Sequence, residues 1–202
     1  MSQTVTATMA RWAAGLEYDH LGERAVHEAK RYLLDSLGCA LGGFLQDDVK
    51  HALAVLDEIA APGPATVIGS GRRLDVVSAA LANALMVRVM DYNDIYWQQD
   101  PSHPSDLIPA ALAMAERRGA GGREVIVGIV LGHEFEMRLC EAAFPGIRER
   151  GWHHATLTAF AAPIVAGRLA RLPWERIQHA IGIAASRHAT LGAVTAGKLT
   201  MM

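Results

Sequence analysis

Cysteine is scarce in this chain, and no uninterrupted apolar segment is long. Only Cys39 and Cys140 are present, far apart and each in apolar surroundings, so no disulfide framework is available. They read as buried thiols of a reducing compartment. The longest stretch free of Asp, Glu, Lys and Arg is Gly151 to Gly167, seventeen residues that include His153, His154 and Pro163. A membrane-spanning helix needs about 20 mostly apolar residues. No basic patch followed by an apolar run opens the chain, so no signal peptide is expected and the cytoplasm is the default. Excess charge of one sign is missing too: 19 basic residues stand against 21 acidic ones, for a net charge of −2. Neither nucleic acid nor a membrane surface is an expected partner. The glycines of Gly69-Ser-Gly71 and Gly119-Ala-Gly-Gly122 lack the spacing of a phosphate loop. There is no Gly-x-Ser-x-Gly elbow, and no HxH, HExxH or paired-cysteine spacing for zinc.

What is present is apolar and helical. Of the 202 residues, 51% are apolar and 20% charged, enough to build a sizeable core in one domain. Apolar residues recur at three- and four-residue spacing over Thr4 to Leu16 and from about Gly22 to Phe44. The second of these ends in the small residues Gly38, Cys39, Ala40, Gly42 and Gly43, which permit close approach of a neighbour. Asp47 or Asp48 is expected to cap a third helix through Ile59. Ala61-Pro-Gly-Pro-Ala65 breaks the pattern, and the only extended segment expected lies near residues 65–72. Further helices are expected at Asp75 to Met90, Asp106 to Arg118, Arg123 to Ala143, His154 to Arg171 and Trp174 to Ala189, the last with Pro173 in its first turn. The fold class is therefore all-α, one domain over 1–202. The chain stops on Met201-Met202 without a polar tail, which suggests an interface or a fragment.

The segment Met90-Asp-Tyr-Asn-Asp-Ile-Tyr-Trp-Gln-Gln-Asp-Pro-Ser-His-Pro-Ser-Asp106 gathers Asp91, Asp94, Asp100, His103 and Asp106 between two helices. Asp91 and Asp94 share a face if the preceding helix continues through them. A histidine held between Ser102 and Pro104, near carboxylates, is suited to moving protons near neutral pH. Capping roles for Asp91, Ser105 and Asp106, and a metal site from Asp91, Asp94 and His103, stand as alternatives. In Gly151-Trp-His-His-Ala-Thr156, two histidines open a helix whose first amides attract anions; the plainer reading has one cap the helix and the other face solvent. His133, inside a long helix, reads more readily as a core or surface residue.

Several blocks resemble the MmgE/PrpD family. They are Tyr32-Leu-Leu-Asp-Ser-Leu-Gly-Cys-Ala-Leu-Gly42, Met90-Asp-Tyr-Asn-Asp94 with Ser102-His-Pro-Ser-Asp106, Gly132-His-Glu-Phe-Glu-Met-Arg-Leu139, Gly151-Trp-His-His154 and Ala180-Ile-Gly-Ile-Ala-Ala-Ser186. That family includes 2-methylcitrate dehydratase, cis-aconitate decarboxylase and iminodisuccinate epimerase. The resemblance implies a large helical domain followed, in longer members, by an α+β domain absent here. It implies a homodimeric lyase of the hydro-lyase type on a small di- or tricarboxylate, with no cofactor and no metal. By the same resemblance, Asp91, His103 and His153 are catalytic, and Asp94, Asn93 and Ser102 bind substrate. Ile95 stands where many members carry threonine, which argues against simple transfer of their specificity. The family's lysine falls at or just beyond the end of the chain and is not equated with Lys198. The residues of the second domain are also missing, so activity of the isolated chain is doubtful, and a non-catalytic dimerising or ligand-binding remnant is the alternative.

Overall fold

The structure is a computed structural model and describes residues 4–187 and 189–193. It is built almost wholly of helices. α1 (Val5–Gly15) is capped by Thr4, whose hydroxyl accepts the Ala7 N–H at 3.2 Å. α2 (Glu23–Gly43) and α3 (Asp47–Ile59) follow, then the short strands β1 (Pro62–Thr66) and β2 (Arg73–Leu74). α4 (Val76–Arg88) is capped by Asp75, whose carboxylate takes the N–H groups of Val77 and Ser78 at 3.1 and 3.0 Å. A two-residue pair, β3 (Tyr96–Trp97) and β4 (Pro101–Ser102), and a 3₁₀ turn (Pro104–Leu107) lead into α5 (Ile108–Arg118). α6 (Gly122–Ala142), a 3₁₀ turn (Arg148–Arg150), α7 (Ala155–Leu169) and α8 (Trp174–Ala185) complete the described fold.

Two apolar clusters lie on either side of α5. One joins α1, α5, α6, α7 and α8 around Leu131, Phe135, Ile164, Ile177 and Ile181. The other joins α2, α3, α4 and β1 around Leu53, Leu56, Val67 and Met86. Ala111 and Met114 of α5 face the first and Ala113 the second, which makes α5 the shared wall. Each large side chain fully withdrawn from water contributes about 1.5–3 kcal/mol. The small-residue end of α2 does allow backbone contact: a Cβ on Gly43 would fall 2.0 Å from the Met86 carbonyl oxygen of α4. Gly38, by contrast, meets nothing there.

Several local expectations need correction. Gln46, not Asp47 or Asp48, precedes α3; both aspartates sit in its first turn, where their charge favours the helix dipole. The extended segment begins inside Pro62-Gly-Pro64, with Ala65 opposite Leu74 and Thr66 opposite Arg73. Proline suits an edge strand because it lacks the N–H that a central strand needs. Glu116 anchors that edge, accepting the Thr66 N–H and hydroxyl, each at 2.6 Å. A second pair, β3 with β4, was not expected. Neither Ser105 nor Asp106 caps α5; Pro104 starts a 3₁₀ turn and Leu107 precedes the helix. Pro173 precedes α8 rather than entering its first turn. No helix among the described residues is long and apolar enough to cross a membrane. Lys198 and the terminal methionines lie outside the described residues.

Candidate active site

α4 stops at Arg88, and the chain reverses at Asp91, which has φ 49°. A non-glycine residue in the left-handed region costs energy and often marks a functional turn. The helix does not run through Asp91 and Asp94, so they share no helical face. Asp91 turns back onto the guanidinium of Arg88, which holds its carboxyl below the usual carboxylate range. The same guanidinium donates to Asn93 Oδ1 at 3.3 Å, and Asn93 Nδ2 donates to Ser105 Oγ at 2.8 Å.

Asp94 points inward. Its carboxylate accepts the Ser105 N–H at 3.2 Å and lies 3.5 Å from His133 Nε2. Burial pushes its carboxyl up, but the bonds to His133 and Ser105 outweigh that and leave it lowered. His133 is a buried residue, as expected, and it also faces Asp94: its Nδ1 donates to the Ile129 carbonyl at 3.0 Å, and its ring packs on Tyr32 at 4.6 Å between centroids.

His103 is 7% exposed, and its Nδ1 donates to the backbone carbonyl of Asp94 at 2.6 Å. This bond assigns the ring proton to Nδ1 and leaves a lone pair on Nε2. Burial lowers the pKa of His103, so the ring is neutral at pH 7. A row of imidazoles follows: His103 to His154 at 5.4 Å, then His154 to His153 at 3.9 Å. His154 precedes α7 and is buried, not solvent-facing, and burial drives its pKa down to about 3. His153 Nδ1 accepts the Ala155 N–H at 3.2 Å, so its ring proton sits on Nε2. Burial and then Arg148 lower its pKa.

Two carboxyls here have raised pKa values. Burial raises Asp106 to about 7, against the pull of Arg88. Burial raises Glu136 of α6 to about 8; it is fully buried and accepts the hydroxyls of Ser102 and, at 2.9 Å, Thr158. Depressions flank the Asp91–Asp94 turn. One, of about 570 Å³, runs along α3 and α4 and ends on Arg88, Asp106 and Thr158. The other, of about 470 Å³, is bordered by Tyr32, Asp35, Asn93 and Asp94.

Five of the six residues singled out from the sequence, Asp91, Asn93, Asp94, His103 and His153, are joined through Arg88, Ser105 and His154, while Ser102 is fully buried and engaged with Glu136 instead. Asp91, Asp94 and His103 do not converge as a ligand set, because each faces a different partner. Among the described residues, no group of three or more His, Cys, Asp or Glu side chains is arranged to hold a metal ion. Sequence reasoning did not single out Arg88 or Glu136, and it did not anticipate that His154 is buried against His103. A signal for Glu136 was available: Gly128, Gly132, Glu136 and Cys140 recur every four residues on one face of α6.

Neutral imidazoles, an arginine and two carboxyls of raised pKa are thus brought together within one helical domain. The chain belongs to the MmgE/PrpD family, whose N-terminal domain matches residues 7–202. It is 29% identical over 192 residues to a cis-aconitate decarboxylase of Aspergillus terreus, covering 91% of this chain and 39% of that protein. It is 28% identical over 180 residues to a 2-methylcitrate dehydratase of Salmonella typhi, covering 84% of this chain and 37% of that protein. A 2-methylcitrate dehydratase of Cupriavidus necator is 28% identical over 182 residues, or 85% of this chain and 36% of that one. The chain thus spans less than half the length of these curated relatives.

Proposed function

We propose that this chain supplies the acid–base helical portion of a lyase acting on a small hydroxylated di- or tricarboxylate, a hydro-lyase of the 2-methylcitrate dehydratase type. The observation that carries this reading is the opposed pair of imidazole tautomers. His103 commits its Nδ1 proton to the Asp94 carbonyl and keeps a basic Nε2; His153 accepts at Nδ1 and keeps a proton on Nε2. In loss of water, the C–H bond next to a carboxylate breaks and its proton passes to His103 Nε2. The electron pair forms the C=C bond as the C–O bond breaks. The departing hydroxide takes the proton of Asp106, whose carboxyl keeps it up to about pH 7. Arg88 and the Nε2–H of His153 steady the negative charge that builds on the substrate carboxylate. Asp91 and Asn93 hold Arg88 in place, while Asn93 and Asp94 border the smaller depression.

The same reading takes the protein as a cytoplasmic homodimer that needs no cofactor; sedimentation of the full-length protein as a stable monomer would count against the dimer. Turnover is tested on the full-length protein with 2-methylcitrate and with cis-aconitate, following the ultraviolet absorbance of the unsaturated acid. His103→Ala is expected to lose about 10²–10⁴-fold in kcat, the range for a general base. Asp91→Asn, which acts through Arg88, is expected to lose less. Undiminished turnover in both variants would remove the site assignment.

A further inference from the structure

We infer that Glu136 is the positioning residue of this site: one carboxyl group on α6 ties the strand that leads into His103 to the helix that follows His153 and His154, and so sets the spacing of the imidazole row. The catalytic consequence of this role rests on the lyase reading; its geometric part does not. On α6, Gly128, Gly132, Glu136 and Cys140 lie one turn apart on a single face. A Cβ on Gly128 would come within 2.9 Å of Leu169 and 3.3 Å of Ala111, and one on Gly132 within 3.1 Å of Leu107 and 3.5 Å of Val165. The missing side chains let the segment after His103 close on α6 from one side and α7 from the other.

The next residue on that face reaches both. Glu136 is fully buried, and its Oε1 accepts from Ser102, the residue before His103, and from Thr158, one turn into the helix after His154. Its Oε2 is buried without a hydrogen-bond partner. Asp106 and Asp94 face it from the loop side, and Cys140 lies on its own helix. The described hydrogen bonds bring it no cationic donor, and burial keeps the carboxyl protonated to about pH 8. An orphaned polar atom in a core is destabilising, and an apolar side chain of similar size would pack there at lower cost. What an apolar residue could not do is accept two hydroxyls from two different histidine-bearing segments at one oxygen atom.

The test compares the full-length parent with Glu136→Gln, Glu136→Ala and Thr158→Val. Two quantities are read: kcat and KM for 2-methylcitrate, and the imidazole ¹⁵N and ¹H resonances of His103 and His153. Glutamine keeps an acceptor oxygen in place, so Glu136→Gln should retain kcat and both resonances. Glu136→Ala should lose about 10²-fold in kcat with little change in KM, as misplacement of reacting groups does, and should move both resonances. Thr158→Val should move His153 more than His103, with a smaller loss of kcat. Parental kcat and resonances in Glu136→Ala and Thr158→Val would overturn the inference. So would a loss in Glu136→Gln as deep as in Glu136→Ala, which would give Glu136 a chemical rather than a positioning part. Should Glu136→Ala not fold, Thr158→Val decides alone. If the parent itself does not turn over 2-methylcitrate, the lyase reading fails for that substrate, while the resonances still uphold or overturn the positioning role.

Discussion

Replacing Glu136 by glutamine should stabilise the fold at neutral and alkaline pH and leave it unchanged in acid. In the folded chain, burial holds the Glu136 proton to about 8, against an ordinary value of 4.5. Between those values the unfolded chain has released a proton that the folded chain keeps, so stability falls as pH rises. The slope is about 1.4 kcal/mol per pH unit, and the gap from 4.5 to 7 amounts to about 3 kcal/mol at pH 7. Above pH 8 the folded group ionises as well and the penalty levels off. Glutamine carries the same shape and the same orphaned second atom without the proton linkage. Glu136→Gln should therefore match the parent at pH 4 and exceed it by about 3 kcal/mol at pH 7, a rise in Tm of roughly 6–12 °C for a domain of this size. Urea denaturation from pH 4 to 9 measures it. Parallel stability curves for the two proteins across that range would show that Glu136 ionises normally, and the burial argument would fail.

Other consequences can be checked. Asp94 faces His133 with its carboxyl lowered, so its contribution is present above the ordinary carboxylate value of 3.8 and is lost as pH falls through the folded value. Asp94→Asn should cost about 1.5–3 kcal/mol near pH 7, the range for a hydrogen bond to a charged group such as the one its carboxylate accepts from the Ser105 N–H, and the difference from the parent should shrink in acid denaturation. Gly43→Ala should lower stability by about 1–3 kcal/mol, because its Cβ would meet the Met86 carbonyl; thermal melts report it. With His103 lowered below 6.5 and Asp106 raised to about 7, the pH profile of kcat in the full-length protein should rise below 6.5 and decline from about 7. Asp106→Asn should abolish the alkaline limb.

Much of the helical architecture is legible in the sequence, and the reasons are local. The three- and four-residue periodicity of α1 and α2 acts within a turn or two of chain. The cluster of Asp91, Asp94 and His103 was also legible, because polar residues between two helices have no packing reason to gather there. The misreadings share one cause, dependence on residues far along the chain. β1 is a strand because Arg73–Leu74 pairs with it and Glu116 anchors Thr66. His154 is buried with His103, far along the chain, packed against it. The four-residue spacing of Gly128, Gly132 and Glu136 marks a packed face of α6, but it does not say that Ser102 and Thr158, far along the chain, will meet at the Glu136 oxygen.

The central claim is that Nε2 of His103 removes the proton next to a substrate carboxylate. Deuterium transfer tests it most directly: the full-length protein is run in D₂O with 2-methylcitrate, and in the reverse direction with its dehydration product. NMR then reads deuterium at the carbon beside the carboxylate. The parent should incorporate deuterium there, and His103→Gln, which keeps a donor to the Asp94 carbonyl but has no basic nitrogen, should lose that incorporation. Undiminished incorporation in His103→Gln would contradict the account.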